Sequence, residues 1–250
     1  MSYSYTAAAA TSPDAKVNAV ARNRLLAALP ATDLALLTPH LIEINLETGA
    51  LLHEPGQPIK RVYFPHSGLV SLLGILPEGQ AIDTASIGRD GAIGLSAGLG
   101  AQTALSRAVV QLPGRAVQIA PNRLVEVVAR SHAVQDMIVR YGDVLLAQVQ
   151  HAVVCNTVHH VQERLCRWLL HAHDRIEGDT VPITQEFLSG MLGVQRTTVT
   201  AICRMLQGDD IVDVRRGRIH IRDLAALERR SCSCYRVLRR LTEHAAGTPA

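Results

Sequence analysis

The sequence predicts an α+β protein with an N-terminal β-barrel, a long helix and a C-terminal winged helix-turn-helix. Short apolar strands separated by glycine turns occupy residues 41–119, which is typical of a barrel or a sandwich. Helical spacing of apolar residues then runs from 121 to about 173 with one interruption. Two short helices joined at a glycine follow at 185–206, and an alternating hairpin with an arginine-rich tip comes next.

Bulk composition limits the class of protein. Apolar residues make up 48% and charged residues 19% of the 250 residues, so wholesale disorder is excluded and sizeable cores are expected. No apolar run reaches the roughly 18 residues that a membrane-spanning helix needs. Residues 1–16 lack the basic region and apolar core of a secretory signal, and the five cysteines do not form a disulfide framework. We therefore expect a cytoplasmic protein with a flexible tail over 1–22.

The charge distribution is more informative than the formal net charge of +3. Residues 184–240 contain 11 arginines, no lysine and 6 acidic residues, a net charge of +5. Residues 1–183 contain 14 basic and 15 acidic residues, a net charge of −1, and Glu243 supplies the remaining −1. Positive charge is thus concentrated in the segment with the helix-turn-helix pattern, as attraction to a phosphate backbone requires.

The N-terminal half begins with helical spacing from Asn23 to Leu37, interrupted at Pro30, where a new helix is expected to start. From Leu41 onwards, short apolar runs alternate with glycine turns, and we predict a barrel or sandwich from them. The predicted strands are Leu41–Leu46, Leu51–His53, Val62–Phe64, Leu69–Leu76, Ala81–Ile87 and Ala108–Leu112.

The helical region after the strands is interrupted near Ser131-His132, and one long helix is predicted to begin after this interruption. The stretch Val134–Val158 would be about 37 Å long. An apolar stripe in steps of four and three predicts pairing with a second copy, although its polar members also allow packing on the chain's own barrel. The stripe consists of Met137, Tyr141, Val144, Gln148, His151, Cys155 and Val158.

The segment QEFLSGMLGVQRTTVTAICRML at 185–206 is typical of a helix-turn-helix. Gly193 accepts the positive φ of the turn without steric cost, and Ser189 is small enough for the close crossing of the two helices. Apolar residues that would pack inward fall at the required offsets; they are Leu188, Leu192, Val199 and Ile202. The alternative is a pair of ordinary amphipathic helices.

The second helix of this motif would present polar side chains to base edges and phosphates in a DNA major groove. Downstream, Asp210–Val214 and Arg218–Ile221 alternate around Arg215-Arg216-Gly217, which predicts a wing with a cationic tip. Candidate DNA-contacting residues from the helix and the wing are Gln195, Arg196, Thr197, Thr198, Thr200, Arg204, Arg215, Arg216 and Arg218.

With these features in this order, residues 23–223 resemble the Crp/Fnr family of bacterial transcription regulators. The resemblance implies a homodimer that binds double-stranded DNA and contacts RNA polymerase, with no membrane association and no enzymatic activity. It divides the chain into a tail (1–22), a cyclic-nucleotide-binding-like jelly-roll sensor barrel with flanking helices (23–132), a dimerisation helix (133–160), a winged helix-turn-helix domain (161–223) and a C-terminal helical extension (224–250).

The resemblance also assigns roles to individual residues of the motif. Arg196 falls on the major-groove arginine of the family, which typically reads guanine, while Thr197 departs from the family's common glutamate. Arg204 matches a basic position expected to touch phosphate. Thr184 and Gln185 match backbone contacts at the start of the first motif helix.

The sensor barrel departs from the cyclic-AMP-binding pattern. Gly88–Leu95 resembles the approach to the nucleotide cassette, but Leu95 stands where a glutamate would bind the ribose. Leaving a ribose hydroxyl buried without a partner costs about 1–3 kcal/mol. Val149 and Gln150 also replace the hydroxyl residues that reach adenine, whereas Arg107 keeps the phosphate-binding arginine and is a candidate effector residue. We therefore expect no cyclic AMP and no cofactor; the barrel binds another effector or none.

Histidine and cysteine residues raise the question of a metal. His151, Cys155, His159 and His160 share one predicted helix, and a metal held across a dimer seam is conceivable. We interpret them instead as a seam thiol and solvated histidines, and we assign no metal and no catalytic residues. A metal-dependent enzyme that uses this cluster is the alternative function.

Two further cysteines, Cys232 and Cys234, lie in the stretch Asp223–His244, which reads as one basic amphipathic helix. At i, i+2 on a helix they would point in different directions and could not pair. The extension is expected to pack on the winged domain or to add nonspecific DNA affinity, with a thiol sensor as the alternative. No cysteine precedes Cys155, so the N-terminal iron–sulfur ligation of the family's oxygen sensors is excluded.

Overall fold

The computed structural model describes Val20, residues 22–79 and residues 81–245. The predicted order of barrel, long helix and winged helix-turn-helix is confirmed, and the class is α+β. The flexible tail expected over 1–22 lies outside the described residues, apart from Val20 and Arg22.

The N-terminal domain is an all-antiparallel barrel of two sheets behind two short helices. One sheet has the strand order β1-β7-β3 and the other has the order β2-β6-β4-β5. The predicted strands are confirmed to within one or two residues, but β7 has no counterpart among them. The elements are α1 (Arg24–Ala27), α2 (Ala31–Leu37), β1 (Ile42–Leu46), β2 (Leu51–His53), β3 (Val62–Pro65), β4 (Leu69–Ile75), β5 (Ala81–Ile87), β6 (Arg107–Leu112) and β7 (Gly114–Ile119).

Two glycines allow the connections of the barrel to cross closely. A Cβ atom on Gly114 would lie 2.3 Å from the carbonyl oxygen of Ser67, a distance that no real side chain tolerates. Gly68 has φ +82 and would place a Cβ 2.7 Å from the carbonyl oxygen of Leu112. Only glycine fits at either position without moving the backbone of a neighbouring strand.

Three helices follow the barrel: α3 (Pro121–Val128), α4 (His132–Val158) and α5 (Val161–His173). The predicted interruption is confirmed, because Ser131 is the N-cap of α4 and its side chain accepts a hydrogen bond from the backbone N–H of Val134 at 3.1 Å. A second break separates α4 from α5, where His159 and His160 both adopt extended backbone conformations.

Five of the seven residues of the stripe predicted as a dimer seam along α4 are instead buried within the chain's own core, whereas His151 is half-buried and Val158 is 67% exposed. Met137 and Tyr141 are each 3% exposed and Cys155 is completely buried, because this face of α4 packs against β5, the 3₁₀ turn Leu95–Leu99 and the C-terminal helix. Val144 and Gln148 are buried as well. The seam prediction is therefore wrong for these residues, since the sequence pattern alone does not say which apolar surface covers a stripe.

The C-terminal domain, the head, is a winged helix-turn-helix followed by two helices. Its three strands form an antiparallel sheet of order β8-β10-β9. Its core is continuous with the barrel, because Leu69 and Leu112 pack in the same cluster as the apolar residues of α5 and the head. The elements are β8 (Thr180–Val181), α6 (Gln185–Leu192), α7 (Arg196–Gly208), β9 (Val212–Arg215), β10 (Arg218–Ile221), α8 (Leu224–Arg230) and α9 (Cys234–Ala245).

The single C-terminal helix predicted over 223–244 is wrong. Its helical pattern breaks after Arg230, because Ser231 has φ −82 and ψ 158, an extended conformation that ends α8. α8 packs on α5, and α9 turns back to pack against α4 and α5. The extension therefore touches both the head and the long helix. Among the described residues, no helix is long and apolar enough to cross a bilayer.

Candidate nucleic-acid interface

The predicted helix-turn-helix is present, with its turn at Gly193. This glycine has φ +66, and its N–H donates to the carbonyls of Gly190 and Ser189 at the end of α6. After the turn, α7 begins at Arg196, with Gln195 as its N-cap. The left-handed backbone at Gly193 is the reason that the motif needs glycine there.

The inner faces of the two helices meet as predicted. Leu188 and Val199 are completely buried, Leu192 is buried and Ile202 is half-buried. Ser189 is buried at the crossing, and its hydroxyl donates to the carbonyl of Glu186 at 2.6 Å, so no polar atom of this side chain is left unpaired. The small side chain permits the close approach of α6 and α7.

The outer face of α7 carries the polar residues that the sequence singled out. Arg196, Thr197 and Arg204 are exposed, and Thr200 is half-buried. Gln195 and Thr198 are exposed beside them. No described residue covers this face, so α7 is free to enter a DNA groove. The DNA contacts themselves remain a prediction.

Several of these residues have partners within the protein. An oxygen of Glu186 lies 3.3 Å from Nη1 of Arg196, in a pair whose two side chains are 67% and 71% exposed. Exposed pairs contribute only about 0–1 kcal/mol, so Arg196 can exchange this carboxylate for an acceptor on a base. The hydroxyl of Thr200 donates to Oε1 of Gln185 at 2.7 Å, which holds the start of α6 against α7.

The N-terminus of α6 is oriented by Thr184. Its hydroxyl oxygen accepts a hydrogen bond from the backbone N–H of Phe187 at 3.2 Å, and the side chain is exposed. A helix N-terminus carries partial positive charge and free N–H groups, which favours contact with a phosphate. Thr184 and Gln185 thus lie at the start of α6, and their contact with a DNA backbone remains a prediction.

The predicted wing is present as the hairpin of β9 and β10. Arg215 and Arg218 are directly opposite each other in the ladder, and Gly217 has φ +74 in the connecting turn with Arg216. All three arginines are exposed, and Nε of Arg215 donates to Asp213 at 2.9 Å. β8 adds a third strand on the other side of β10, which the sequence reasoning missed because β8 is only two residues long.

The candidate effector residue of the barrel, Arg107, is engaged by a carboxylate. Its Nε donates to Oε2 of Glu54 at 2.8 Å, and its Nη2 contacts Oε1 of the same residue. The hydrogen bonds from Arg107 lower the pKa of Glu54, so this carboxylate is charged at neutral pH. Leu95 is only 4% exposed in the 3₁₀ turn Leu95–Leu99, and its apolar side chain offers no hydrogen-bond acceptor.

The structure brings together two cysteine groups that the sequence reasoning treated separately. Cys155 lies in the last turn of α4 and His159 is its C-cap, while Cys232 lies in the break between α8 and α9 and Cys234 is the first residue of α9. The four ligand atoms all lie within 4.8 Å of one another. His151 and His160 do not belong to this group. The spacings Cys-x-x-x-His and Cys-x-Cys were visible in the sequence, but nothing in it relates position 155 to position 232.

Comparison with known proteins agrees with this architecture. Residues 163–230 match the family model of the Crp-like helix-turn-helix domain. No curated protein matches the chain.

Solved structures match almost over their full lengths. FixK2 from Bradyrhizobium japonicum superposes with a TM-score of 0.66 at 15% identity, covering 77% of this chain and 98% of that one. TTHB099, a CRP-family transcriptional regulator from Thermus thermophilus, gives 0.61 at 20% identity, covering 75% and 96%. The c-di-GMP-responsive global regulator CLP from Xanthomonas campestris gives 0.57 at 16% identity, covering 78% and 100%. At these identities the likeness is one of fold.

Proposed function

We propose that this chain, which has the fold of the Crp/Fnr regulators and carries a Crp-like helix-turn-helix domain, is a sequence-specific DNA-binding transcription regulator that works as a homodimer. The observation that carries the proposal is the exposed polar face of α7, flanked by the basic wing. The concentration of positive charge in residues 184–240 supports it, because that segment contains 11 arginines and only 6 acidic residues.

In this proposal the start of α7 reads bases. An arginine can bind O6 and N7 of guanine in a bidentate contact worth about 1–3 kcal/mol of discrimination. We assign this contact to Arg196, which is exposed at the first position of α7 next to the exposed N-cap Gln195. The exposed threonines Thr197 and Thr198 continue the same face, and Thr200 supports it through Gln185.

Phosphate contacts position the head. Arg204 on α7, Thr184 and Gln185 at the start of α6, and the wing arginines Arg215, Arg216 and Arg218 lie around the reading face. Such contacts add affinity that is independent of base sequence and falls with salt.

The homodimer rests on a different face of α4 from the one that the sequence indicated. Val139, Leu146 and Val153 are 51%, 58% and 64% exposed and follow one another at intervals of seven residues. A heptad of exposed apolar side chains on a long helix suits pairing with the same helix of a second copy. Two heads would then reach successive major grooves about 34 Å apart in a near-palindromic site.

The sensor barrel would supply the signal through α4, which packs on β5 and the Leu95–Leu99 turn. A ligand that favours one arrangement of barrel and helix shifts the spacing of the two heads. Buried Leu95 and the Arg107–Glu54 pair argue against cyclic AMP as that ligand. Contact with RNA polymerase and a cytoplasmic location are what the resemblance implies, and we include them in the proposal.

The test is selection of genomic fragments bound by the purified full chain, followed by affinity measurements on the selected operator. Arg196→Ala should weaken operator binding by about 1–3 kcal/mol and relax base preference at one position. Arg123→Ala, which removes a 51% exposed arginine from α3 on the barrel side, should not. An Arg196→Ala variant that keeps full operator affinity would refute the assigned reading face, and failure to select any sequence would refute the function.

A further inference from the structure

The cysteine–histidine cluster lies at the junction between the long helix α4 and the head, which we call the joint. Cys155 and His159 end the long helix α4, directly before α5, which connects α4 to the head. Cys232 and Cys234 lie where the chain leaves the head through α8 and turns back along α4 as α9. Anything that holds these four side chains together fixes the C-terminal extension to the junction of the sensor helix and the head.

The distances within the cluster are those of ligands around one metal ion. Sγ of Cys155 lies 3.5 Å from Sγ of Cys232, and Sγ of Cys234 lies 3.6 Å from Nδ1 of His159. Zinc–sulfur bonds of about 2.3 Å and zinc–nitrogen bonds of about 2.0–2.1 Å in a tetrahedron give edges of about 3.8 Å and about 3.6 Å. The set thus has the right ligand types, two of its separations are close to these edges, and all four ligand atoms lie within 4.8 Å of one another, so small side-chain movements would close the set around an ion.

Burial supports a closed site. Cys155 is completely buried, Cys232 and Cys234 are 3% and 5% exposed, and His159 is half-buried. Structural zinc sites are closed sets of four protein ligands such as Cys₃His, whereas catalytic zinc keeps one position open for water or substrate. A Cys₃His set therefore favours a structural ion over the metal-dependent enzyme considered from the sequence.

The charges around the cluster are also complementary to a bound ion. Three thiolates and one divalent cation have a net charge of −1, which needs compensation in a buried place. Arg164 and Arg167 interact electrostatically with Cys155, and the Nε atoms of both arginines are buried without a hydrogen-bond partner.

We propose that Cys155, His159, Cys232 and Cys234 bind one Zn²⁺ ion that fastens the C-terminal extension to the joint between α4 and the head. Binding replaces the thiol protons, which pass to solvent, so affinity falls as the pH is lowered. The ion holds α8 and α9 against α4 and α5. Its effect on DNA binding rests on the proposed function, whereas its presence does not.

The first experiment is metal analysis of the full chain, purified under reducing conditions and dialysed against buffer without chelator. We expect about one zinc ion per chain, bound by the closed tetrahedral set. Replacement with Co²⁺ should give the visible absorption of tetrahedral cobalt together with a thiolate-to-cobalt charge-transfer band. Protein that retains no stoichiometric metal after incubation with zinc, or protein that contains iron instead, would overturn the assignment.

Variants locate the ion. Cys232→Ala and Cys155→Ala should weaken zinc binding by more than the roughly 10–100-fold that loss of an outer-shell partner costs. Cys166→Ala is the matched control, because Cys166 is also completely buried but lies outside the cluster, and it should keep its zinc. Cys234→His preserves a ligand and should retain cobalt with a shifted spectrum, which separates loss of the site from failure to fold.

The competing chemistry is a disulfide between Cys155 and Cys232, whose thiols are free but close. Intact mass measurement after alkylation distinguishes the zinc site from the disulfide. Five alkylated cysteines on zinc-free denatured protein are expected, whereas two missing alkyl groups in protein isolated without oxidant would overturn the zinc site. Operator affinity is measured in parallel with and without zinc. Zinc-loaded protein that binds no specific DNA would contradict the proposed function alone. Zinc-free protein that binds its operator as tightly as the zinc-loaded protein would contradict only the effect of the ion on DNA binding, whereas the metal analysis and the ligand variants decide the site.

Discussion

Arg175 donates hydrogen bonds to both carboxylate oxygens of Asp90, from Nε at 3.2 Å and from Nη2 at 2.6 Å. The two side chains are only 5% and 12% exposed. Arg175 follows α5 in the head, and Asp90 lies in the turn after β5 of the barrel, so the pair ties the two domains of one protomer together. Gly88 makes room for it, because a Cβ atom there would lie 2.5 Å from Cδ of Arg175.

Removal of this buried pair is expected to be costly. Arg175→Ala leaves Asp90 with an uncompensated charge near the domain junction, which typically lowers the free energy of unfolding by about 3–5 kcal/mol. Urea denaturation followed by circular dichroism measures the loss. Arg123→Ala breaks an exposed pair with Glu126, in which the two side chains are 51% and 53% exposed, and should cost only about 0–1 kcal/mol. Equal effects of the two substitutions would show that the Arg175–Asp90 pair does not join the domains.

The exposed heptad on α4 predicts how the dimer can be separated. Leu146→Glu places a charge in the centre of the proposed helix pair, opposite the same charge in the second copy, and should convert the dimer to a monomer. Light scattering coupled to gel filtration gives the mass. Leu105→Glu is the control, because Leu105 is 92% exposed on the barrel and should leave the mass unchanged. A wild-type protein that is monomeric at every concentration would contradict the dimer itself.

Arg204 is predicted to bind phosphate rather than a base. Arg204→Ala should weaken specific and nonspecific DNA binding alike, and it should reduce the slope of log K against log salt by about 0.9 if one phosphate is no longer neutralised. Titrations at several salt concentrations on operator and random DNA test this. A weakening confined to the operator, with the salt slope unchanged, would instead assign Arg204 to base reading. Arg123→Ala removes the same charge from the barrel side and should leave the slope unchanged.

Cyclic AMP is predicted not to stabilise the protein. A ligand at about 100 times its dissociation constant raises stability by about 2.7 kcal/mol, which a thermal melt detects easily. Because Arg107 is held by Glu54 and Leu95 replaces a ribose acceptor, we expect no change in Tm with cyclic AMP. A Tm that rises with cyclic AMP concentration would contradict this. The Glu54→Gln variant then tests whether release of Arg107 from this carboxylate is enough to allow cyclic AMP to bind.

The resemblance stated from the sequence is confirmed in the fold and in the helix-turn-helix domain. Local patterns were sufficient there, because a turn glycine, a small crossing residue and an alternating hairpin each act over a few residues. Gly193 lies in the turn between α6 and α7, and Arg216-Gly217 forms the turn of the wing hairpin, as the sequence predicted.

The sequence by itself determined the order of barrel, long helix and head, and it determined which face of α7 is polar, since both follow from spacing along the chain. The tertiary structure decided what covers each surface. It buried Met137 and Tyr141 against the barrel and left Val139 and Leu146 exposed. It also brought Cys155 within 3.5 Å of Cys232, 77 positions along the chain. Such contacts depend on how α9 packs back onto α4, and the local spacing of apolar residues does not predict this packing.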